Sequence, residues 1–421
     1  MKVLVLGGGG REHALCWALS RSESVGDVGE VLCAPGNAGI ASVATLCDAD
    51  PTDVALIREL AVRESVDLVV AGGEAPLVAG IADTLAVAGV PVFGPTKGAA
   101  RIESSKTFAK EVMTAAGVPT GAYWSGGDPA SAREALERFT PPYVVKADGL
   151  AAGKGVRICA DRAEAHAAID DALVAGRFAA AGETLVIEEF LDGPELSAFA
   201  ICSGSSHAVI GAARDYKRAL DGDRGPNTGG MGSYTPVPEF SGELRTHIDE
   251  AIFTPTLAEL ADRGLPFRGV LYAGLVLTAD GPRVMEFNAR FGDPEAQALL
   301  PCRPGDLAAV LAAAAAGEEL AMAPDPELAC VTVVLASGGY PDAYETGVRI
   351  TGLDEAAAVP GAVVFHAGTR LEGRHLVTSG GRVLAVSGVG PTVADARAVA
   401  YAAAELIDFD GLHRRSDIAL A

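Results

Sequence analysis

The sequence predicts an α/β protein: an open parallel sheet first, then a smaller strand-rich unit around a glycine loop, then a last α+β segment. Three observations carry this. The first hundred residues alternate short apolar runs with segments of helical length and periodicity, the βαβα rhythm of an open parallel sheet. From about Glu103 the rhythm changes to strand–loop–strand–helix–strand, followed by longer strands. The 51 glycines of the 421-residue chain, well above the usual ~7%, fall in short clusters between apolar runs. Such clusters read as functional loops.

The elements follow in order. Lys2–Gly7 (KVLVLG), Glu30–Pro35 (EVLCAP), Val66–Gly72 (VDLVVAG) and Val90–Pro95 (VPVFGP) are the buried parallel strands, with helices such as Thr52–Arg63 and Pro76–Ala88 between them. Ligand loops then belong at the strand C-termini. One helix over Ser104–Ala116 stops at Gly117, with Pro119 beyond it. Tyr143–Gly149, Gly155–Ala160 and Thr184–Leu191 are strands of a small unit that also holds a helix near Ala163–Val174. Leu196–Cys202 and His207–Ala213 are long strands, Arg214–Gly232 is a polar glycine-rich loop, and a helix covers about Glu243–Arg263. GVLYAGLVLTA and PRVMEFNA form a hairpin around Asp280–Gly281. After a helix near Asp306–Ala316 and the proline-punctuated APDPE, the last α+β segment begins at about Cys330.

Composition excludes some functions. With 55 acidic and 33 basic residues the net charge is −22, which argues against a nucleic-acid binder, because phosphate backbones are met by clustered Lys and Arg. The seven cysteines are scattered, with no C-x-x-C pair, so free thiols in a reducing cytoplasm are expected. The N-terminal apolar run is too short for a signal sequence. The alanine-rich Leu307–Gly317 falls well short of the roughly 20 residues a membrane span needs. Only seven lysines stand against 26 arginines. Lys is kept where a compact point charge matters, so the lysines are enriched candidates for function. Lys2 and Lys110 read as ordinary surface positions.

Four segments carry chemistry. GGGGREHA (Gly7–Ala14) follows a strand and opens a helix, which makes an anion site of backbone N–H groups. A dinucleotide fingerprint fails there: Glu12 stands where the third glycine belongs, and the second strand ends in CAPGN without an acid. A sugar-phosphate or packing role remains. DGLAAGKGV (Asp148–Val156) misses P-loop spacing and is flanked by strands on both sides, so it reads as a hairpin flap over phosphates, with Lys146 on the preceding strand. VIEEFLDGPELS (Val186–Ser197) ends a strand whose backbone can read an adenine edge, and Glu195 could accept from ribose hydroxyls. In VMEFNARFGDPEAQ (Val284–Gln297), Glu286, Asn288 and Arg290 share one strand face. A carboxylate and an amide oxygen two residues apart suit Mg²⁺ completed by substrate phosphates, with Arg290 beside it for a phosphoryl group or carboxylate. Met285, Phe287 and Ala289 alternate onto the packed face.

With these segments in view, the chain resembles the ATP-grasp superfamily and, within it, the phosphoribosylamine–glycine ligase family. The resemblance spans the whole chain through GGGGREHA, APGNAG, GGEAPL, FGPTKGAARIESSK, KADGLAAGKGV, GPNTGGMGSYTP, RFGDPEAQ and FHAGT. It departs from the commonest pattern at Pro194, at Arg214 and Tyr216 around Asp215, and at Ala289. The resemblance implies an ATP-grasp fold: a pre-ATP-grasp substrate domain at 1–103, an ATP-grasp domain at 104–325 with a lid at about 123–187, and a C-terminal domain at 326–421. It implies ATP with Mg²⁺ or Mn²⁺, joining glycine to 5-phosphoribosylamine in purine synthesis. Glu286 and Asn288 are then the metal ligands. Lys106, Lys146, Gly149, Gly153, Lys154, Gly155, Glu188, Glu189, Phe190, Leu191 and Glu195 are the nucleotide residues. Arg290, Lys146 and Asp293 are the catalytic residues, and Gly8, Gly9, Glu74, Asp215, Lys217, Arg290 and Asp293 meet substrate. A transient contact with the enzyme that makes the labile amine is a further expectation. A sibling ligase or carboxylase, and more distantly a dinucleotide-dependent dehydrogenase, are the alternatives; ADP release that requires glycine excludes the dehydrogenase, and its dependence on ribosylamine separates the siblings.

Overall fold

A strand covered by helices on both sides must be apolar on both faces. β1 (Lys2–Gly7) meets this condition: Val3 and Val5 enter one core, Leu4 and Leu6 the other. The computed structural model describes residues 1–26, 30–149, 155–175, 182–204, 206–322 and 324–420. β1 is flanked by β2 (Glu30–Pro35), β3 (Thr45–Leu46), β4 (Leu68–Ala71) and β5 (Val92–Phe93) in an all-parallel sheet of order β3-β2-β1-β4-β5. α1 (Gly10–Leu19) covers one face; α2 (Val54–Arg63), α3 (Glu74–Ala79) and α4 (Ile81–Val87) cover the other. The strand order reverses at β1, so the loops after β1 and β4 open side by side, where open parallel sheets hold ligands.

The single helix read over Ser104–Ala116 is two: α5 (Arg101–Ser104) and α6 (Lys106–Ala116). Ser105 is extended between them, and its hydroxyl caps α6 by accepting the Phe108 N–H at 3.1 Å. α6 ends at Gly117, in the left-handed region at φ +69°. β6 (Tyr123–Gly126), α7 (Pro129–Ala135), β7 (Tyr143–Ala147), β8 (Val156–Cys159), α8 (Arg162–Ile169) and β9 (Leu185–Glu189) follow. Their strands pair antiparallel in the order β6-β9-β7-β8 around a core of their own that includes Leu136, Tyr143, Val145 and Ile169.

β10 (Glu195–Gly204) and β11 (His207–Asp215) begin the largest sheet. The segment read as a loop over Arg214–Gly232 contains a small hairpin of β12 (Arg218–Leu220) and β13 (Arg224–Asn227), and then β14 (Gly232–Thr235). α9 (Gly242–Ile248) and α10 (Thr254–Asp262) lead to the hairpin of β15 (Phe267–Thr278) and β16 (Gly281–Asn288). α11 (Glu295–Cys302) and α12 (Leu307–Ala316) precede β17 (Ala329–Ser337), α13 (Leu353–Ala357), β18 (Ala362–His366), β19 (Thr369–Glu372), β20 (His375–Thr378), β21 (Arg382–Gly390), α14 (Val393–Ala404) and β22 (Leu412–His413). In the segment from Cys330 only β19 and β20 pair apart, as a two-stranded sheet; its other strands join the large sheet. β17 pairs with β14, so one antiparallel sheet runs β16-β15-β10-β11-β14-β17-β21-β18, with β22 on β17. Sequence spacing does not show this, because the joining strand β14 is only four residues long and starts where the polar loop ends. No single helix among the described residues is long and apolar enough to cross a membrane; α12 turns Leu311 and Ala314 into the core.

Candidate active site

A cavity of about 700 Å³ opens between the loops of the parallel sheet, the strand ends of the small sheet, the end of β16 and the β17–β21 region. The geometry at β16 begins with a bulge. Gly274 lies opposite Glu286, but Leu275 lies opposite Val284, which leaves Met285 unpaired. Val284 and Phe287 therefore take the core positions, and Met285 lines the cavity beside Glu286 instead of packing inward. A strict period of two does not survive the extra residue.

Glu286, Asn288 and Arg290 all line the cavity. The Glu286 carboxylate makes no hydrogen bond or salt bridge among the described residues. Arg290 is held by Glu103 at 3.0 Å and Glu74 at 3.3 Å, and donates to Asn288 Oδ1 at 3.1 Å. Burial opposes its charge, but the two carboxylates more than offset that and raise its pKa. Burial raises Glu103, whereas Arg290 and Arg11 overcome burial at Glu74 and lower it. Among the described residues no three His, Cys, Asp or Glu side chains cluster as a metal site. The Glu286 charge acts on Lys106 and Lys217 without a direct bond to either, and a carboxylate so placed beside one amide oxygen fits a hard cation that takes its remaining oxygens from phosphates.

The lysines meet at Glu188. Lys146 on β7 lies 2.9 Å from one Glu188 oxygen and Lys110 on α6 lies 2.8 Å from the other. Lys110 is 2% exposed, not a surface residue, and also donates to Thr120 Oγ1 at 2.8 Å. Burial would raise Glu188, yet the two ammonium groups hold its pKa below the ordinary value; burial lowers Lys110 despite its partner. Lys146 Nζ also donates to the Met285 carbonyl at 3.2 Å, which ties the small sheet to the bulge. Lys106 lines the cavity, donates to the Gly149 carbonyl at 3.1 Å, and is lowered by burial. Gly149 and Gly155 line the cavity, while Gly153 and Lys154 lie outside the described residues. Glu189 pairs with Arg283 at 2.7 Å, Phe190 is exposed, Leu191 is half-buried, and Glu195 accepts from Lys217 at 2.6 Å; none of these four lines this cavity.

In the N-terminal loop, Glu12 folds back to accept the Gly9 N–H at 2.6 Å and Arg11 Nε at 2.8 Å. A Cβ on Gly8 would stand 2.6 Å from the Gly36 carbonyl oxygen, so that glycine serves close packing. An acid bonded into this loop opposes a dinucleotide pyrophosphate there. Gly9 faces Asp293, whose Oδ2 is 3.9 Å from where a Gly9 Cβ would lie. Asp293 lines the cavity and is held by Arg382 at 2.9 Å and Gln297 at 2.7 Å; those partners outweigh burial and lower its pKa. Asp215 and Lys217 also line the cavity, 3.9 Å apart. Burial pushes Asp215 up to about 7 against the pull of Lys217, while Asp215 and Glu195 raise Lys217.

Sequence reasoning passed over Glu103, Tyr272, Glu295 and Arg382, which also line the cavity. Glu103 and Glu295 stand inside the motifs FGPTKGAARIESSK and RFGDPEAQ, so the signal was adjacent. Tyr272 donates to Glu295 at 2.8 Å from within an apolar strand. Arg382 carries no local mark, because only the shared sheet brings it to Asp293.

Residues 1–103, 104–296 and 330–421 match the family models described as the N domain, the ATP-grasp (A) domain and the C domain of phosphoribosylglycinamide synthetase. A relative from Streptomyces coelicolor named phosphoribosylamine–glycine ligase is 51% identical over 423 residues, spanning 100% of this chain and 99% of its own. The chain belongs to the phosphoribosylamine–glycine ligase family. The crystal structure of the phosphoribosylamine–glycine ligase of Thermotoga maritima matches at a TM-score of 0.87 with 37% identity, over 99% of this chain and 100% of that one. The biotin carboxylase domain of the Hydrogenobacter thermophilus 2-oxoglutarate carboxylase, solved with MgADP, matches at a TM-score of 0.72 with 17% identity, over 98% and 91% of the chains, and shares the ATP-grasp fold. This family member is therefore an ATP-grasp ligase, an enzyme that uses ATP on small-molecule substrates.

Proposed function

We propose that the enzyme joins glycine to 5-phosphoribosylamine in the cytoplasm, giving glycinamide ribonucleotide, ADP and phosphate through glycyl phosphate. Besides the family, one observation carries this. A single cavity is lined at once by Arg11 of α1 and Glu74 of α3, by Glu286 and Asn288 of β16 with Arg290 just beyond it, by the flap edges Gly149 and Gly155, and by Asp293. Glycine carboxylate is a poor electrophile and must first be phosphorylated, which is mostly positioning and charge neutralisation. Lys106, Lys146 and the Gly149–Gly155 flap with Lys154 would meet the triphosphate, and the Val186–Leu191 strand end the adenine. Glu286 and Asn288 would hold Mg²⁺ or Mn²⁺, which neutralises phosphate charge when bound.

Glycine is a zwitterion, and the adjoining Asp215 and Lys217 offer a carboxylate for its ammonium and an ammonium for its carboxylate. Its carboxylate oxygen attacks the γ-phosphorus, ADP leaves, and Arg290 faces the charge that develops. The ribosylamine nitrogen then attacks the acyl carbon and phosphate leaves. Gly9, Glu74 and Asp293 would orient that amine. The division at work is residues 1–103, 104–325 with a lid at about 123–187, and 326–421, the lid closing to keep water from a labile intermediate. Seven free thiols suit a reducing compartment. A substrate panel tests the reading: ADP should form only with glycine and freshly generated phosphoribosylamine together. ADP formation driven equally well by another amine or carboxylate would point to a sibling ligase.

A further inference from the structure

The segment 412–420 lies behind the cavity wall that carries Asp215 and Lys217. Alternation along the chain turns those two residues to the cavity and Tyr216 the other way. There, the Tyr216 hydroxyl accepts the Ala419 N–H at 2.9 Å, and its ring lies 4.8 Å under the Arg415 guanidinium. Arg415 is 1% exposed. It makes two bonds of 2.7 Å to Asp417, one of 2.8 Å to Asp223 at the tip of the β12–β13 hairpin, and one of 3.1 Å to the Arg218 carbonyl. Asp417 in turn accepts the Gly222 N–H at 2.8 Å, and Ser416 bonds Asp221.

The base of this hairpin is part of the cavity: Thr228 N–H donates to the Lys217 carbonyl at 2.7 Å, and Thr228 and Asn227 line the wall beside Lys217. Its tip is exposed at Gly222–Arg224 and half-buried at Asp221. A buried, forked cation gripping that tip from behind is the device that fixes the wall in front.

We propose that Arg415 is a positioning residue: it anchors the 216–232 hairpin so that Asp215 and Lys217 stand ready for the non-nucleotide substrate, which is glycine on the reaction proposed above, a reading on which this inference rests. The test is steady-state ADP formation by full-length Arg415→Met, Arg415→Lys and Asp417→Asn, with glycine and ATP varied separately. KM for glycine should rise about tenfold in Arg415→Met, with KM for ATP within about twofold, and Arg415→Lys should fall between it and wild type, because the fork is lost but the charge is kept. Amide exchange of 216–232 should quicken while that of 68–93 stays unchanged. Equal rises in both KM values, or an unchanged glycine KM, would overturn the proposal. If Arg415→Met does not fold, Asp417→Asn decides by the same criteria. If wild type forms no glycine-dependent ADP, the reaction is what has failed, and exchange alone then judges the anchor: unchanged exchange in 216–232 overturns it.

Discussion

Glu188 sits buried between two ammonium groups, and a charge removed from that cluster is missed more than one at a surface. Lys110→Met should leave Glu188 with Lys146 alone and lower the unfolding free energy by about 2–4 kcal/mol in denaturant titrations. A variant as stable as wild type would mean that Lys146 suffices. The lysine count in the sequence pointed to Lys106 and Lys146, but it passed over Lys110, although Lys106 and Lys110 are four apart on one helix face. What hid Lys110 is that its partner arrives from a strand 78 residues later. Glu286 makes the complementary case: an acid that acts on Lys106 and Lys217 through its charge but makes no direct ion pair among the described residues. Glu286→Gln should fold normally and lose activity by about two orders of magnitude, if a metal there supplies about 3 kcal/mol to phosphoryl transfer. Near-normal turnover with unchanged metal dependence would remove Glu286 from that role.

At the scale of elements, alternating and apolar runs made most strands legible, because burial on one or both faces dictates the pattern. The bulge at Met285 was not legible: the side-chain alternation of MEFNA reads as an unbroken strand, and only the pairing with β15 shows the extra residue. The break at Ser105 was more accessible, since a serine ahead of an amphipathic run is a cap signal. The small sheet has its own core, Lys146 on its strand β7 donates to the Met285 carbonyl, and Gly149 just beyond β7 lines the cavity. Amides in the peptide Tyr143–Cys159 should therefore exchange more slowly when ATP and Mg²⁺ are added, with the N-terminal sheet unaffected. Identical exchange with and without nucleotide would argue against a closing lid.

Across the whole molecule, the N-terminal helix α1 and strand β18 near the other end meet at two histidines, His13 buried and His366 half-buried. His366 donates its backbone N–H to His13 Nδ1 at 2.8 Å. Burial, with His366 adding to it, lowers His13 to about 3, and burial lowers His366 to about 4. Both are neutral in the fold, whereas the unfolded chain takes up protons near 6.5, so their contribution is complete above that pH and is lost as pH falls toward 4 and then 3. Denaturant midpoints should fall between pH 6.5 and 4.5 by an amount worth on the order of several kcal/mol, and His13→Gln should flatten that slope. An equally steep slope in the variant would assign the acid sensitivity elsewhere. The meeting of α1 with β18, like the union of β14 with β17, was beyond local pattern, because partners far apart in sequence leave no mark in either element. If one cavity performs phosphoryl transfer to a carboxylate and then acyl transfer to an amine, a carboxylate oxygen must leave with the phosphate. Glycine labelled with ¹⁸O in its carboxylate tests it most directly. The ¹⁸O should appear in the released inorganic phosphate, alongside ADP; unlabelled phosphate, or pyrophosphate with AMP, would rule out glycyl phosphate.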